Sequence, residues 1–237
     1  AYSLCNLLAG ASQRSAVVES GGLDLIVSLG QVQTSPNSCG REEHRSGDLT
    51  ASLTTTRNLT TSSPEYRERI ASAGALDVIA LGIKRQLDFS RRQESPSSGD
   101  TCSHLPFPYL QDACSIMHSL SLNERTKLSL LKHSCVMKNA TALLLFTPRG
   151  GLDTSAPSAT EEWSSVLCQV TRMVANCCEN QNLVHDVARL VKVEALLGLL
   201  KLDEASLSRE VARLFANMTC CVATHKDFLS STIPEKI

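Results

Sequence analysis

The sequence predicts an all-α fold built as a stack of short helices, an α-solenoid. Three observations predict it: a helical motif that recurs five times, a repeated spacing from that motif to the next turn, and insertions that fall at one topological position. The motif reads SLCNLLAG around Asn6, TTTRNLTT around Asn58, IMHSLSLN around Ser119, MVANCCEN around Asn176 and LFANMTCC around Asn217. Each copy is a helical run of small and aliphatic residues ending in a polar position, usually Asn.

A second, amphipathic segment follows the motif: SAVVESGG at 15–22, RERIASAGA at 67–75, LSLLKHSCV at 128–136 and VHDVARLVK at 184–192. A third, more apolar segment follows that: LDLIVSL, LDVIALGI, ATALLL and VEALLGLL. Asn6 to Gly21 is 15 residues, Asn58 to Gly74 is 16, and Asn176 to Lys192 is again 16. Gly21, Gly22 and Gly74 are read as turn residues, because glycine adopts backbone angles that β-branched residues avoid.

Successive motifs are 52, 61, 57 and 41 residues apart. The last step lies in the range of roughly 40–47 residues expected for two- or three-helix repeats. The excess in the others falls in Ser-, Pro-, Gly- and charge-rich stretches at about 32–48, 85–107 and 147–160, read as flexible loops along one edge of the stack. No segment alternates apolar and polar residues at period 2, so strands are not expected.

The last motif illustrates why such units stack. Val211, Leu214, Phe215 and Met218 recur at i, i+3, i+4 and i+7, an apolar stripe one unit cannot bury alone. Ser206 or Ser208 is expected to cap that helix. Glu161 and Glu162 are expected to open the preceding long helix by opposing its N-terminal dipole.

These segments resemble armadillo repeats, over nearly the whole chain apart from the insertions. The match is best at 1–31, 49–83 and 161–231. It is poorest around Ser119, where Ser replaces Asn and no Gly follows. The resemblance implies a single right-handed solenoid of about four to five repeats over 1–237. Importin-α, β-catenin and many adaptors share that fold, so it does not fix a function. It also implies a concave groove lined by the Asn-bearing helices, where Asn6, Asn58, Asn176 and Asn217 would hydrogen-bond an extended peptide. An amide offers both a donor and an acceptor to a peptide unit. The other reading has each Asn capping or bracing its own neighbouring turn.

Four residues before each Asn lie Tyr2, Thr54, Arg172 and Arg213, on the same helix face. Importin-α places Trp there to clamp basic peptides; this chain does not. Arg172 and Arg213, with Arg57 from an earlier unit, predict an acidic or phosphorylated partner, because guanidinium pairs carboxylate or phosphate bidentately. The alternative is local pairing of these arginines with Glu179 or Glu210. The expected partner-binding set is therefore Asn6, Arg57, Asn58, Ser119, Arg172, Asn176, Arg213 and Asn217.

Composition narrows the class further. Of 237 residues, 23 are Lys or Arg and 24 are Asp or Glu, a net charge of −1 that gives no chain-wide pull toward nucleic acid or anionic lipid. Aromatic residues are 4%, too few for a base-stacking platform. No apolar run approaches the roughly 18–20 residues of a membrane span. Most of the ten cysteines sit at apolar helical positions, which predicts free thiols in a reducing compartment, cytoplasmic or at the cell cortex. The chain opens within a helical pattern at Tyr2–Leu8 and is read as a piece of a longer protein.

No phosphate-binding glycine loop, nucleophile elbow or zinc-protease motif is present, and neither Cys177-Cys178 nor Cys220-Cys221 presents two thiolates well to one metal. No cofactor, metal or enzymatic activity is expected. A protein-interaction scaffold is the leading class; a regulatory repeat domain of a larger enzyme or switch, sensing a small ligand, is the alternative. SREVARLFANMTCC together with the Ser-rich insertions resembles the armadillo domain of inscuteable-type cell-polarity adaptors.

Overall fold

The computed structural model describes residues 11–32, 42–93, 108–145, 157–202 and 204–220. Among them are twelve α-helices, one 3-10 turn at Leu200–Leu202, and no strand. In chain order the helices are α1 (Ala11–Glu19), α2 (Gly22–Val32), α3 (Glu42–Ser62), α4 (Pro64–Ser72), α5 (Ala75–Gln93), α6 (Pro108–Leu120), α7 (Glu124–Lys132), α8 (Ser134–Leu145), α9 (Pro157–Cys178), α10 (Gln181–Leu190), α11 (Val193–Leu199) and α12 (Ala205–Thr219). They group as four three-helix units, each ending in a motif-bearing helix: α3, α6, α9 and α12.

Those four helices pack side by side in sequence order as one layer, α3 on α6, α6 on α9 and α9 on α12. The third-segment helices α2, α5, α8 and α11 form a second ladder. One contiguous core runs between the layers, from Ile26, Leu53 and Ile79 through Leu110, Ile116 and Met117 to Val170, Val174, Leu196 and Leu214. Burying apolar stripes against neighbouring units is what makes the stack stable.

Local chemistry sets the helix starts. Ser63 caps α4 by accepting from the Glu65 N–H, with Pro64 at the first helical position. Asn123 caps α7 and Asn180 caps α10. Each cap also reaches back to the unit before: Asn123 Nδ2 donates to Glu68 at 3.3 Å, and Asn180 Nδ2 donates to Glu124 at 3.1 Å. The cap of α12 is Glu204, whose carboxylate accepts from the Ser206 and Leu207 N–H groups, rather than Ser206 or Ser208. An ionised carboxylate at a helix N-terminus gains the dipole as well as the hydrogen bonds. Helix α9 begins at Pro157, so Glu161 and Glu162 lie in its second turn and do not open it.

Helix α3 is rich in hydroxyls yet buried. Thr56 Oγ1 donates to the Ser52 carbonyl at 2.8 Å, Thr60 Oγ1 to the Arg57 carbonyl at 2.9 Å, and Ser52 Oγ to the Ile26 carbonyl of α2 at 2.7 Å. Returning the hydroxyls to backbone oxygens removes the cost of burying them.

Parts of the expected insertions are helical. Helix α3 starts at Glu42, α5 continues through Arg85 to Gln93, and α9 takes in 157–160. Leu87 is buried, because the apolar stripe of α5 continues past Arg85. The remainder of those stretches lies outside the described residues. Two glycines answer steric demands. Gly74 sits at φ 88° between α4 and α5, and Gly30 lies where an added Cβ would come within 2.5 Å of Val78 Cγ1. Gly74→Ala is expected to cost about 1–2 kcal/mol from the left-handed backbone alone, read from the urea midpoint. An unchanged midpoint would refute that turn geometry.

Candidate functional site

The polar residues that half-emerge from the α3–α6–α9–α12 layer form a charged strip. Its rungs cross between units. Asp112 on α6 lies seven residues before Ser119, and Glu210 on α12 lies seven before Asn217. Each buried carboxylate meets an arginine of a preceding long helix. Arg57 Nη1 is 2.6 Å from Asp112 Oδ1, and Thr54 Oγ1 donates to the other oxygen. Arg172 Nε is 3.1 Å from Glu210 Oε1.

Arg213 adds a third partner. Its Nε lies 3.0 Å from Glu210 Oε2, but the N–H is not aimed at that oxygen and neither atom has a hydrogen bond, so the contact is coulombic. Arg213 Nη1 reaches Glu179 at 3.4 Å, which also faces the buried Lys127 at 3.7 Å. Arg172 and Arg213 thus share one buried carboxylate, which the more exposed Arg209 also approaches at 4.0 Å. The side chains of Arg172 and Arg213 remain 29% and 39% exposed, while Arg213 Nε itself is buried.

Asp112 shows burial and pairing in opposition. Burial pushes its carboxyl above the usual range, and Thr54 and Arg57 only partly offset that. His118 on α6 faces the same cluster. Its imidazole is held below the usual histidine value, first by burial and then by Arg172 and Arg213, with Glu210 opposing and Arg67 of α4 adding to the depression. Four basic side chains from α4, α6, α9 and α12 therefore converge.

For His118 the neutral form is favoured in the fold, so the unfolded chain takes up the proton first. Its contribution to stability is complete above the unfolded value near 6.5 and is lost as the pH falls below it. Urea unfolding of wild type and His118→Asn across pH 7.5 to 5.5 should show a smaller acid loss in the variant; parallel curves would refute the assignment.

The expected site residues are placed as follows. Asn6 lies outside the described residues. Ser119 and Asn176 are buried. Asn176 Nδ2 donates to Ser121 Oγ at 2.8 Å, and Asn217 Nδ2 donates to the Ala175 carbonyl at 3.0 Å. Both amides brace the preceding unit, across the stack rather than within their own turn. Asn58 is half-buried beside Arg57, whose Nη2 lies 3.4 Å from its Oδ1. Arg172 and Arg213 are adjacent as expected, and they carry the local Glu179 and Glu210 pairings weighed as the alternative. The sequence marks His118 only as one of four scattered histidines, with His133, His185 and His225, read as surface or groove residues, and it does not mark Asp112 or Gln169. The acids at one offset in two motifs were the signal available.

The described cysteines are free, and burial pushes the thiols of Cys177 and Cys178 up to about 12, far from nucleophilic. Among the described residues no three His, Cys, Asp or Glu side chains gather as a metal-binding group, and no helix is long and apolar enough to cross a membrane.

Stacked three-helix units with a long-helix layer define an α-solenoid of the armadillo type. Solved structures agree on the fold. A crystal structure of an engineered protein from the Northeast Structural Genomics Consortium aligns with a TM-score of 0.66 and 18% identity, covering 96% of this chain and 77% of that one. A designed armadillo repeat protein aligns with a TM-score of 0.63 and 13% identity, covering 96% and 78%. No protein-family model and no curated protein matches the sequence.

Proposed function

We propose that this chain is a non-enzymatic interaction scaffold that seats an extended, acidic or phosphorylated partner segment across the open face of α3, α6, α9 and α12. The observation that carries the reading is the convergence of Arg172 and Arg213, solvent-accessible and sharing one buried carboxylate, beside Arg67 and His118. Arg57 extends the basic character to the second unit's interface. An incoming carboxylate or phosphate would take the guanidinium N–H groups that Glu210 leaves unused. Asn58 and Asn217, half-exposed, would flank it. A cortical or cytoskeletal adaptor role rests on the inscuteable-type resemblance of SREVARLFANMTCC.

The test is fluorescence anisotropy with three labelled 12-residue peptides alternating Ser with Glu, Gln or Lys. The Glu peptide should bind at least about tenfold more tightly than the Lys peptide at low salt, and the gap should close as salt rises. Equal affinities would overturn the reading.

A second reading, a regulatory domain that takes a small ligand, has its seat in a cleft of about 500 Å³ between α5 and α8. Leu81 and Leu87 line it, with Lys84, Lys138 and His133 around them. A thermal shift with a metabolite panel, abolished by Lys84→Ala with Lys138→Ala, would favour it.

A further inference from the structure

Several donors of the open face have no partner. Arg172 gives its Nε–H to Glu210 at 3.1 Å; among the described residues its Nη1 and Nη2 meet no acceptor, and neither is sealed from solvent. Arg67 of α4 is placed alike. Its Nε donates to the Thr60 carbonyl at 3.0 Å, and its two terminal nitrogens are unbonded and open among the described residues. Both ring nitrogens of His118 are likewise unbonded and open, although Arg67, Arg172 and Arg213 all bear on the imidazole. Arg213 differs, since its Nη groups already reach Glu179 and the Arg172 carbonyl, each at 3.4 Å. Half-buried donors on α4, α6 and α9 therefore meet at His118 with no acceptor among them.

The charges of the cluster do not balance either. Arg67, Arg172, Arg209 and Arg213 stand against Glu179 and Glu210, while Lys127 is matched by Glu124 at 2.7 Å. With His118 neutral, two positive charges are left over. One carboxylate cancels half of that surplus, and its two coplanar oxygens engage a single guanidinium fork. A phosphomonoester carries about −1.5 to −2 charges at pH 7 and three acceptor oxygens. It cancels the surplus, and its tetrahedral oxygens accept from more than one direction.

We propose that the anchor seated on the open face is a phosphomonoester, a phosphorylated Ser or Thr of the partner segment, rather than a carboxylate. The inference rests on the reading of that face as the seat of an acidic or phosphorylated segment. Arg172 Nη1 and Nη2 take two phosphate oxygens, and His118 and Arg67 take up the oxygen that a carboxylate lacks. These two residues set the specificity for phosphate; Arg172 and Arg213 serve any anion. A phosphodiester, the group of a nucleic-acid backbone, carries one charge and matches the site no better than a carboxylate.

The experiment starts from the labelled Ser–Glu peptide and replaces one central Glu by phosphoserine or by phosphoserine methyl ester. Anisotropy is read on the full chain at pH 7.5, above the second phosphate pKa of about 6. The phosphoserine peptide should bind at least about tenfold more tightly than the Ser–Glu peptide, and the methyl ester within about twofold of the Ser–Glu peptide. On the double variant His118→Asn with Arg67→Gln, the advantage of phosphoserine over Glu should fall below about threefold. A ratio of two peptides on one protein is unaffected by the fraction folded, because unfolding weakens both equally. Phosphoserine binding no tighter than Glu, a methyl ester as tight as phosphoserine, or an advantage kept in the double variant each overturns this inference and leaves the acidic-segment reading standing. Glu and phosphoserine peptides both binding no tighter than the Lys peptide overturns the two together.

Discussion

Trp163→Ala should remove about 3–5 kcal/mol of stability, the scale measured when a large buried aromatic is truncated and its cavity does not collapse. Trp163 lies near the start of α9 and is only 2% exposed. Helix α9 packs against α6, α8, α10 and α12, and Trp163 belongs to the contiguous buried core. Domain stabilities are of the order of 5–15 kcal/mol, so the variant should be close to unfolding at 37 °C. The urea midpoint should be followed by far-ultraviolet circular dichroism, because Trp163 is the chain's single tryptophan and the variant has no indole fluorescence. Trp163→Phe should recover most of the loss, since it keeps much of the buried ring area. A loss below about 1 kcal/mol for Trp163→Ala would mean that the first turns of α9 are not part of the cooperative core.

Replacing both Arg172 and Arg213 by glutamine should weaken binding of the acidic peptide at least about a hundredfold. Two charge-assisted contacts at roughly 1.5–3 kcal/mol each set that scale. Glutamine is preferred to glutamate here. Charge reversal would place two further carboxylates beside the buried Glu210 and confound binding with folding. Even the glutamine pair leaves Glu210 under-compensated, so circular dichroism on the same samples is part of the measurement. Glu210→Gln is the informative opposite. It removes the competitor from between the two guanidinium groups and should tighten the acidic peptide severalfold. If Glu210→Gln weakens binding while the fold is intact, the carboxylate orients the arginines instead of competing with the partner.

Much of the architecture was legible because the repeat is written in apolar spacing. The Asn58 and Asn176 motifs fall on α3 and α9, and the 16-residue step from Asn58 reaches Gly74, which does occupy a turn at positive φ. Helix limits were less legible. The run after Arg85 reads as a loop by its charge and Ser content, yet α5 continues to Gln93 because Leu87 still meets the core. The cap of α12 was misjudged because Ser206 is the better local capping type, whereas Glu204 wins by accepting from two N–H groups and from the Ser206 hydroxyl itself.

The strip of charges was legible only in part. Arg172 and Arg213 could be paired from the spacing of their motifs. Their meeting with Glu210 depends on the lateral register of α9 against α12, which periodicity along one helix does not encode. The turning-in of Asn176 toward Ser121 has the same origin. A side chain's choice between solvent and a neighbouring unit is decided across the stack, between residues about 40 to 60 positions apart.

Because each unit leans chiefly on the one before and the one after, deformation is not shared evenly along the chain. Some ion pairs at the joints, such as Arg125–Glu68 and Arg213–Glu179, lie near water and exchange partners cheaply, whereas the buried rungs and the greasy interior resist shear. Such a body flexes like a hinged ruler, by small angular play at each joint. A ligand spanning several joints would set the curvature, and one spanning a single joint would leave the rest of the molecule free to bend.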